Sequence, residues 1–212
     1  TFENTDPYSE ILWSNNWPLK TTFITNGKIY LAFGEYSPIA PLARGAPFIC
    51  LDIDNGDEVW RIDGAFRGAE WGGNAIIGDS VMVEWNSYDN MIYGVCKGPT
   101  EITISAPTSG IALGKSVMLQ GSVLDTSPGT QETSITKRFP NGVPAVADES
   151  MSEWMKHVYM QFESPDDVAG VQVKLETIDP NGNYQFIDTT TTDMFGNYGI
   201  VFEPEISGKY QI

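Results

Sequence analysis

The stretch Pro47-Phe48-Ile49-Cys50-Leu51-Asp52-Ile53-Asp54-Asn55-Gly56-Asp57-Glu58-Val59-Trp60 constrains the fold of this chain more than any other. An apolar run, Phe48 to Leu51, enters an acidic turn closed by Asn55-Gly56, and a second short run ends in Trp60. Asn-Gly accepts positive φ at little cost, so this turn between two strand-length runs predicts a β-hairpin. A hairpin alone is at best marginally stable in water. The chain must therefore supply more sheet to cover it.

The flanking sequence does so. Thr22-Phe23-Ile24 and Lys28 to Phe33 are strand-like and are separated by Asn26-Gly27; a Pro-rich loop, Tyr36 to Pro47, follows. Pro18 argues against a central strand near the N-terminal end. Ile62 to Asn74 is Gly-rich and aromatic and reads as a connection. The pattern then returns: Asn74 to Ile77, a Gly78-Asp79 turn, Ser80 to Glu84, a polar turn over Asn86 to Asn90, and Met91 to Cys96. A strand-turn-strand unit recurring after roughly 50 residues is the spacing of β-propeller blades.

The segment Cys50 to Trp60 resembles the eleven-residue signature of pyrroloquinoline-quinone-like (PQQ-like) propeller repeats. Cys50 takes the small position, Asp52 the acidic one, Asn55 and Gly56 the turn, and Trp60 the closing aromatic. The resemblance is good over 22–62 and fair over 74–98, where no second Asp-Asn-Gly turn with a closing Trp follows. It implies that Trp60 docks between adjacent blades and that Asp52, Asn55 and Gly56 tie the hairpin together, all in structural roles. Propellers close with typically about four to eight blades. Residues 1–99, with about two, are thus expected to be the C-terminal part of a larger propeller or to lie against another chain. The quinone is not implied, because no cofactor-binding residues match.

A boundary is expected near Gly98-Pro99. Beyond it, Ile102 and Ile104, then Val117, Leu119 and Val123, then Val171, Val173 and Leu175, then Tyr198, Ile200 and Phe202 each fall on one strand face. Turns at Asp179-Pro180-Asn181-Gly182 and Phe195-Gly196-Asn197 separate the later runs. Gly196-x-Tyr198 and Gly208-x-Tyr210 resemble the pattern of surface-protein immunoglobulin-like (Ig-like) domains. The resemblance implies that residues 100–212 are an Ig-like β-sandwich, and such a sandwich is expected here to stop within its sixth strand, short of its last one. An insertion at 125–170 interrupts it. Within the insertion, Ser150-x-x-Glu153 fits a capping box, and Met151, Trp154 or Met155, Val158 and Phe162 recur at helical spacing. A helix is predicted from about Ser152 to Gln161, ending before Pro165. The predicted fold class is all-β: a partial β-propeller followed by an Ig-like β-sandwich with a helix-containing insertion. The whole arrangement is similar to that of large archaeal cell-surface proteins.

Candidate chemistry is sparse. The formal charge of −16, from 28 acidic and 12 basic residues, disfavours nucleic acid and anionic lipid as partners. No run of about 18 apolar residues spans a membrane. Asp52, Asp54 and Asp57 are weak calcium candidates, but Gly56 sits fifth from Asp52 where a calcium loop of the EF-hand kind needs its glycine sixth. A structural turn is the better reading, and no cofactor is expected beyond weakly bound calcium. His157 is the single histidine and is expected to be structural or exposed. Cys50 and Cys96 are either free thiols or a blade-to-blade disulfide, the latter favouring an oxidising location. Arg67, Glu70 and Trp71 read as inter-blade contacts or a channel-facing group; Trp13, Trp17 and Trp71 read as a sugar-stacking platform only in a minor alternative. Met151, Trp154, Met155 and Val158 either pack back onto the chain or bind a partner.

The leading expectation is a non-catalytic structural, assembly or adhesion module, extracellular or at the cell surface. Its partners would be the rest of a propeller or neighbouring subunits. The alternatives are a fragment of a quinone-dependent or glycan-processing propeller enzyme with its active centre in missing blades, and a binding module using the 125–170 insertion.

Overall fold

The computed structural model describes residues 2–3, 16–17, 19–33, 46–64, 75–86 and 90–212. The chain divides into two compact units, Thr1–Lys97 with Met155–Phe162, and Gly98–Trp154 with Glu163–Ile212. Among the described residues it is an all-β protein of five small sheets with a helical insertion.

In the first unit, β1 (Phe2–Glu3) pairs with β2 (Asn16–Trp17). Then β3 (Leu19–Thr25), β4 (Lys28–Phe33), β5 (Ala46–Asp52) and β6 (Glu58–Gly64) form an antiparallel sheet in chain order. A three-stranded sheet follows, built from β7 (Ile76–Gly78), β8 (Val81–Asn86) and β9 (Met91–Val95). Local chemistry explains the hairpins. Asn26 and Gly27 have φ of 49° and 68°, the paired positive values of a two-residue turn that matches strand twist. The β7–β8 turn is one residue later than the sequence suggests. Gly78 pairs with Val81, so Asp79 and Ser80 turn the chain, at φ of 48° and 64°. Asp tolerates the left-handed region better than most residues, which frees Gly78 to close the strand.

One apolar cluster joins the two larger sheets of this unit. Ala32, Phe48 and Ile62 from β3–β6 are buried with Ala75 and with Met82 of β8. Phe23, Tyr30, Trp60, Tyr93, Val95 and Met160 pack around them. The rings of Phe23 and Tyr30 lie 4.5 Å apart, Phe48 and Trp60 5.7 Å, and Tyr30 and Trp60 5.9 Å, the spacing of favourable aromatic pairs.

In the second unit, β11 (Val117–Asp125) pairs with β10 (Thr100–Ile102) and β12 (Val143–Pro144), and also with β15 (Asn197–Phe202). A separate hairpin joins β13 (Gln172–Ile178) to β14 (Tyr184–Thr191). Both sheets feed one core. Leu119, Val123, Tyr198 and Ile200 come from one side, Val173 and Leu175 from the other, with Ala145 between elements. Ile102 and Ile104, read as sharing one strand face, are both exposed. Beyond β15, the predicted strand over Lys209 to Ile212 is reduced to one bridge, in which Gln211 and Ile178 exchange backbone hydrogen bonds of 3.0 and 2.8 Å. The Tyr210 hydroxyl folds back on Ile206, accepting from its N–H at 3.1 Å and lying 3.2 Å from its carbonyl.

Two turns of this unit repeat one design. Asp179-Pro-Asn-Gly-Asn-Tyr184 and Asp193-Met-Phe-Gly-Asn-Tyr198 share the pattern Asp-x-x-Gly-Asn-Tyr. In each, the Asp carboxylate accepts the backbone N–H groups two and four residues on, at 2.8–2.9 Å. The glycines, at φ of 85° and 79°, take the conformation that an L side chain strains to reach.

The insertion departs from expectation in two places. Residues 126–141, read as a polar run, contain a 3-10 turn at Pro128–Gln131 and a short helix, α1 (Thr133–Arg138). Its β-branched and polar composition is a weak helix signal, and burial of Ile135 stabilises it. The predicted helix is α2 (Met151–Met160), preceded by a 3-10 turn at Asp148–Ser150. Ser150 does not form the capping box. Its Oγ accepts the Ala169 N–H at 2.8 Å, anchoring the far end of the insertion instead.

Candidate functional site: an exposed apolar sheet face

β8 has two faces of opposite character. Met82, Glu84 and Asn86 are buried, whereas Val81, Val83 and Trp85 point the other way. Register extends the outward set across the sheet, since directly opposed residues share a face. Val83 lies opposite Ile76 and Gly94, Trp85 opposite Ile92, and Val81 opposite Gly78. The resulting face carries Ile76, Val81, Val83, Trp85 and Ile92, with two glycines and no charged side chain. Ile92 is 72% exposed, Ile76 67% and Trp85 38%. Single exposed apolar residues are ordinary, but a contiguous set on one sheet face makes this face the candidate contact surface.

The β5–β6 hairpin closes on a self-contained turn. Asp52 Oδ1 accepts the N–H groups of Asp54 at 2.9 Å and Asn55 at 3.3 Å, and Asn55 Oδ1 accepts that of Asp57 at 2.8 Å. Gly56 has φ of 79°. Asp52 Oδ1 and Asn55 Oδ1 are thus engaged in fixing the turn. Among the described residues, no group of three or more His, Cys, Asp and Glu side chains is placed to hold a metal ion. The calcium candidates Asp52, Asp54 and Asp57 are therefore not brought together as ligands. Trp60 lies at the hairpin end within the aromatic cluster, against Tyr30 and Phe48.

Cys50 and Cys96 are both free thiols, the first buried on β5 and the second exposed beyond β9, so the disulfide alternative is not realised in this structure. Burial pushes the Cys50 thiol up, opposed by a hydrogen bond with Tyr30. The four helix residues read as possible partner contacts divide. Trp154 and Val158 are buried, and Trp154 meets the Phe139 ring edge-on at 6.0 Å, so neither is available to a partner. Met151 and Met155 are partly exposed. His157 Nδ1 lies 2.9 Å from the Phe162 carbonyl, closing the helix end in a structural role. Trp13, Arg67, Glu70 and Trp71 lie outside the described residues, as does the side chain of Trp17. A cleft of about 420 Å³ beside β14 and the end of β15 is lined by Phe186, Val201, Phe202, Glu203 and Glu205 among others.

The residue that sequence reasoning missed is Glu84. It is 2% exposed, and burial pushes its carboxyl up to about 8. Its signal was present in the alternation Met82-x-Glu84-x-Asn86, where an acid occupies a core-facing position.

No family model, curated protein or solved structure matches the chain. Among the described residues, no helix is long and apolar enough to cross a membrane. The class defined by the structure is therefore an all-β, multi-sheet protein with a helical insertion.

Proposed function

We propose that the chain is a non-catalytic assembly module of an extracellular or cell-surface protein. In this reading its first unit contributes blades to a larger β-propeller, and its second is an Ig-like spacer. The observation that carries the proposal is the outer face of β7–β9. An uncharged face of Ile76, Val81, Val83, Trp85 and Ile92 gains free energy from cover, at roughly 25 cal/mol per Å² of apolar surface removed from water. A neighbouring sheet is the cover suited to an apolar β-sheet face.

Three further features support the propeller and Ig-like assignments. The meander β3-β4-β5-β6 has the four-strand form of a propeller blade, and its closing Trp60 matches the PQQ-like signature. The pairing of β11 with both β10 and β15, opposite the β13–β14 hairpin, is compatible with an Ig-like sandwich. The Tyr210 hydroxyl, bonded to backbone four residues upstream, resembles the tyrosine corner of such domains. Placement at the cell surface comes from the resemblance to archaeal surface proteins.

The test is a paired substitution, Trp85→Lys with Ile92→Lys. The native chain is expected to bind an apolar dye and to self-associate in light scattering. The double variant, with an unchanged far-ultraviolet spectrum, should do neither. A native chain that is monomeric and dye-silent, like the variant, would overturn the proposal.

A further inference from the structure

Glu84 stands on β8 between Met82 and Asn86, on the face turned toward the β3–β6 sheet. Met82 belongs to the cluster shared with Phe48 and Ile62, and Tyr93, directly opposite Glu84 on β9, packs against that cluster. Among the described residues, neither carboxyl oxygen has a hydrogen-bond partner of normal geometry. A buried carboxylate without partners is among the most costly groups a core can hold. The group avoids that cost by keeping its proton.

The other titratable groups on the packed faces do not relieve it. Tyr93 is its neighbour on β9. On the facing sheet, Tyr30 and Cys50 lie within the aromatic layer, Lys20, Lys28 and Asp52 share that face by register and alternation, and Glu58 lies opposite Leu51 across a bulge. Lys156 and His157 precede Met160 by one helical turn. None of these hydrogen-bonds the Glu84 carboxyl oxygens, and none is among the influences on its carboxyl. Burial is the dominant influence on the carboxyl, opposed only by the adjacent Trp85 backbone.

We propose that Glu84 is a protonation-controlled latch between the β3–β6 and β7–β9 sheets. Protonated, it is tolerated in the shared cluster and the sheets stay packed. Ionised, it draws water into the cluster and loosens β7–β9. The inference stands independently of what covers the outer face, because it concerns the inner one. The sign follows from linkage: a raised folded-state value means the unfolded chain releases its proton first. Stability is fully present below the ordinary value of 4.5 and is lost as pH rises to about 8, levelling off above that.

The experiment follows denaturant unfolding and backbone hydrogen exchange of the full chain from pH 5 to 9, for the native protein and for Glu84→Gln. The native folded-to-unfolded ratio should fall by up to about tenfold per pH unit below pH 8, beyond the slope of the Gln variant. Exchange at β8 amides should accelerate over the same range. If Glu84→Gln fails to fold, carboxyl-carbon NMR titration of the native chain replaces it. A Glu84 midpoint near 8 supports the latch. A midpoint near 4.5, or equal pH slopes in native protein and variant, would overturn it.

Discussion

Gly121 on β11 offers the most sharply determined perturbation. It lies opposite Tyr198 of β15, whose hydroxyl donates to the Thr103 carbonyl at 2.6 Å. A Cβ built on Gly121 would stand 1.9 Å from that carbonyl oxygen and 2.7 Å from the Tyr198 hydroxyl. Both are far inside contact distance, and the nearer is backbone, so Gly121→Ala must move the 103–105 segment or break the tyrosine bond. The segment is held by Thr103 N–H to the Ser122 carbonyl at 2.9 Å and by Ser122 N–H to Thr103 Oγ1 at 3.0 Å. Losing the tyrosine bond costs about 1 kcal/mol, and overpacking a filled site costs about 1–3 kcal/mol. Replacing glycine within a strand returns roughly 0.5–1 kcal/mol. The net expectation is a loss of about 1–3 kcal/mol for Gly121→Ala, against about 1 kcal/mol for Tyr198→Phe. Urea unfolding with a common slope measures both. The double variant should cost less than the sum, because the tyrosine bond is lost once. A Gly121→Ala protein within 0.5 kcal/mol of the native one, or strictly additive losses, would refute the steric argument.

Two other outcomes are expected. Without denaturant, alkylation followed by intact mass should label Cys96 rapidly and Cys50 slowly, because the first thiol is exposed and the second buried; both should react once the chain is unfolded. Equal rates in the native state would contradict the packing of β5. Asp179 is held below its ordinary value of 3.8, first by the side-chain bond from Asn183 and then by backbone N–H groups. Its contribution is therefore present above that value and lost as pH falls through the depressed one, so Asp179→Asn should flatten the acid limb of the unfolding curve. An unchanged acid limb in this variant would remove Asp179 as a turn anchor.

The turns were legible in the sequence because their chemistry is local. Asn26-Gly27, the Asp52 to Gly56 turn and the two Asp-x-x-Gly-Asn-Tyr turns are fixed by short side chains reaching a few residues and by glycine at positive φ. Strand alternation similarly gave Leu119, Val173, Leu175, Tyr198 and Ile200 as core residues. Tertiary structure decided what covers each face. Ile102 and Ile104 have the alternation of buried residues and lie in water, whereas Glu84 has the chemistry of a surface residue and lies inside. Ser150 has the spacing of a helix cap but meets Ala169, nineteen residues on. Trp60 stands between these two kinds of information. Its place at the end of a hairpin, beside Phe48, follows from the turn before it, but its contact with Tyr30 depends on β4 pairing with that hairpin. Periodicity reports which side chains point the same way; only packing determines whether that direction is core or solvent.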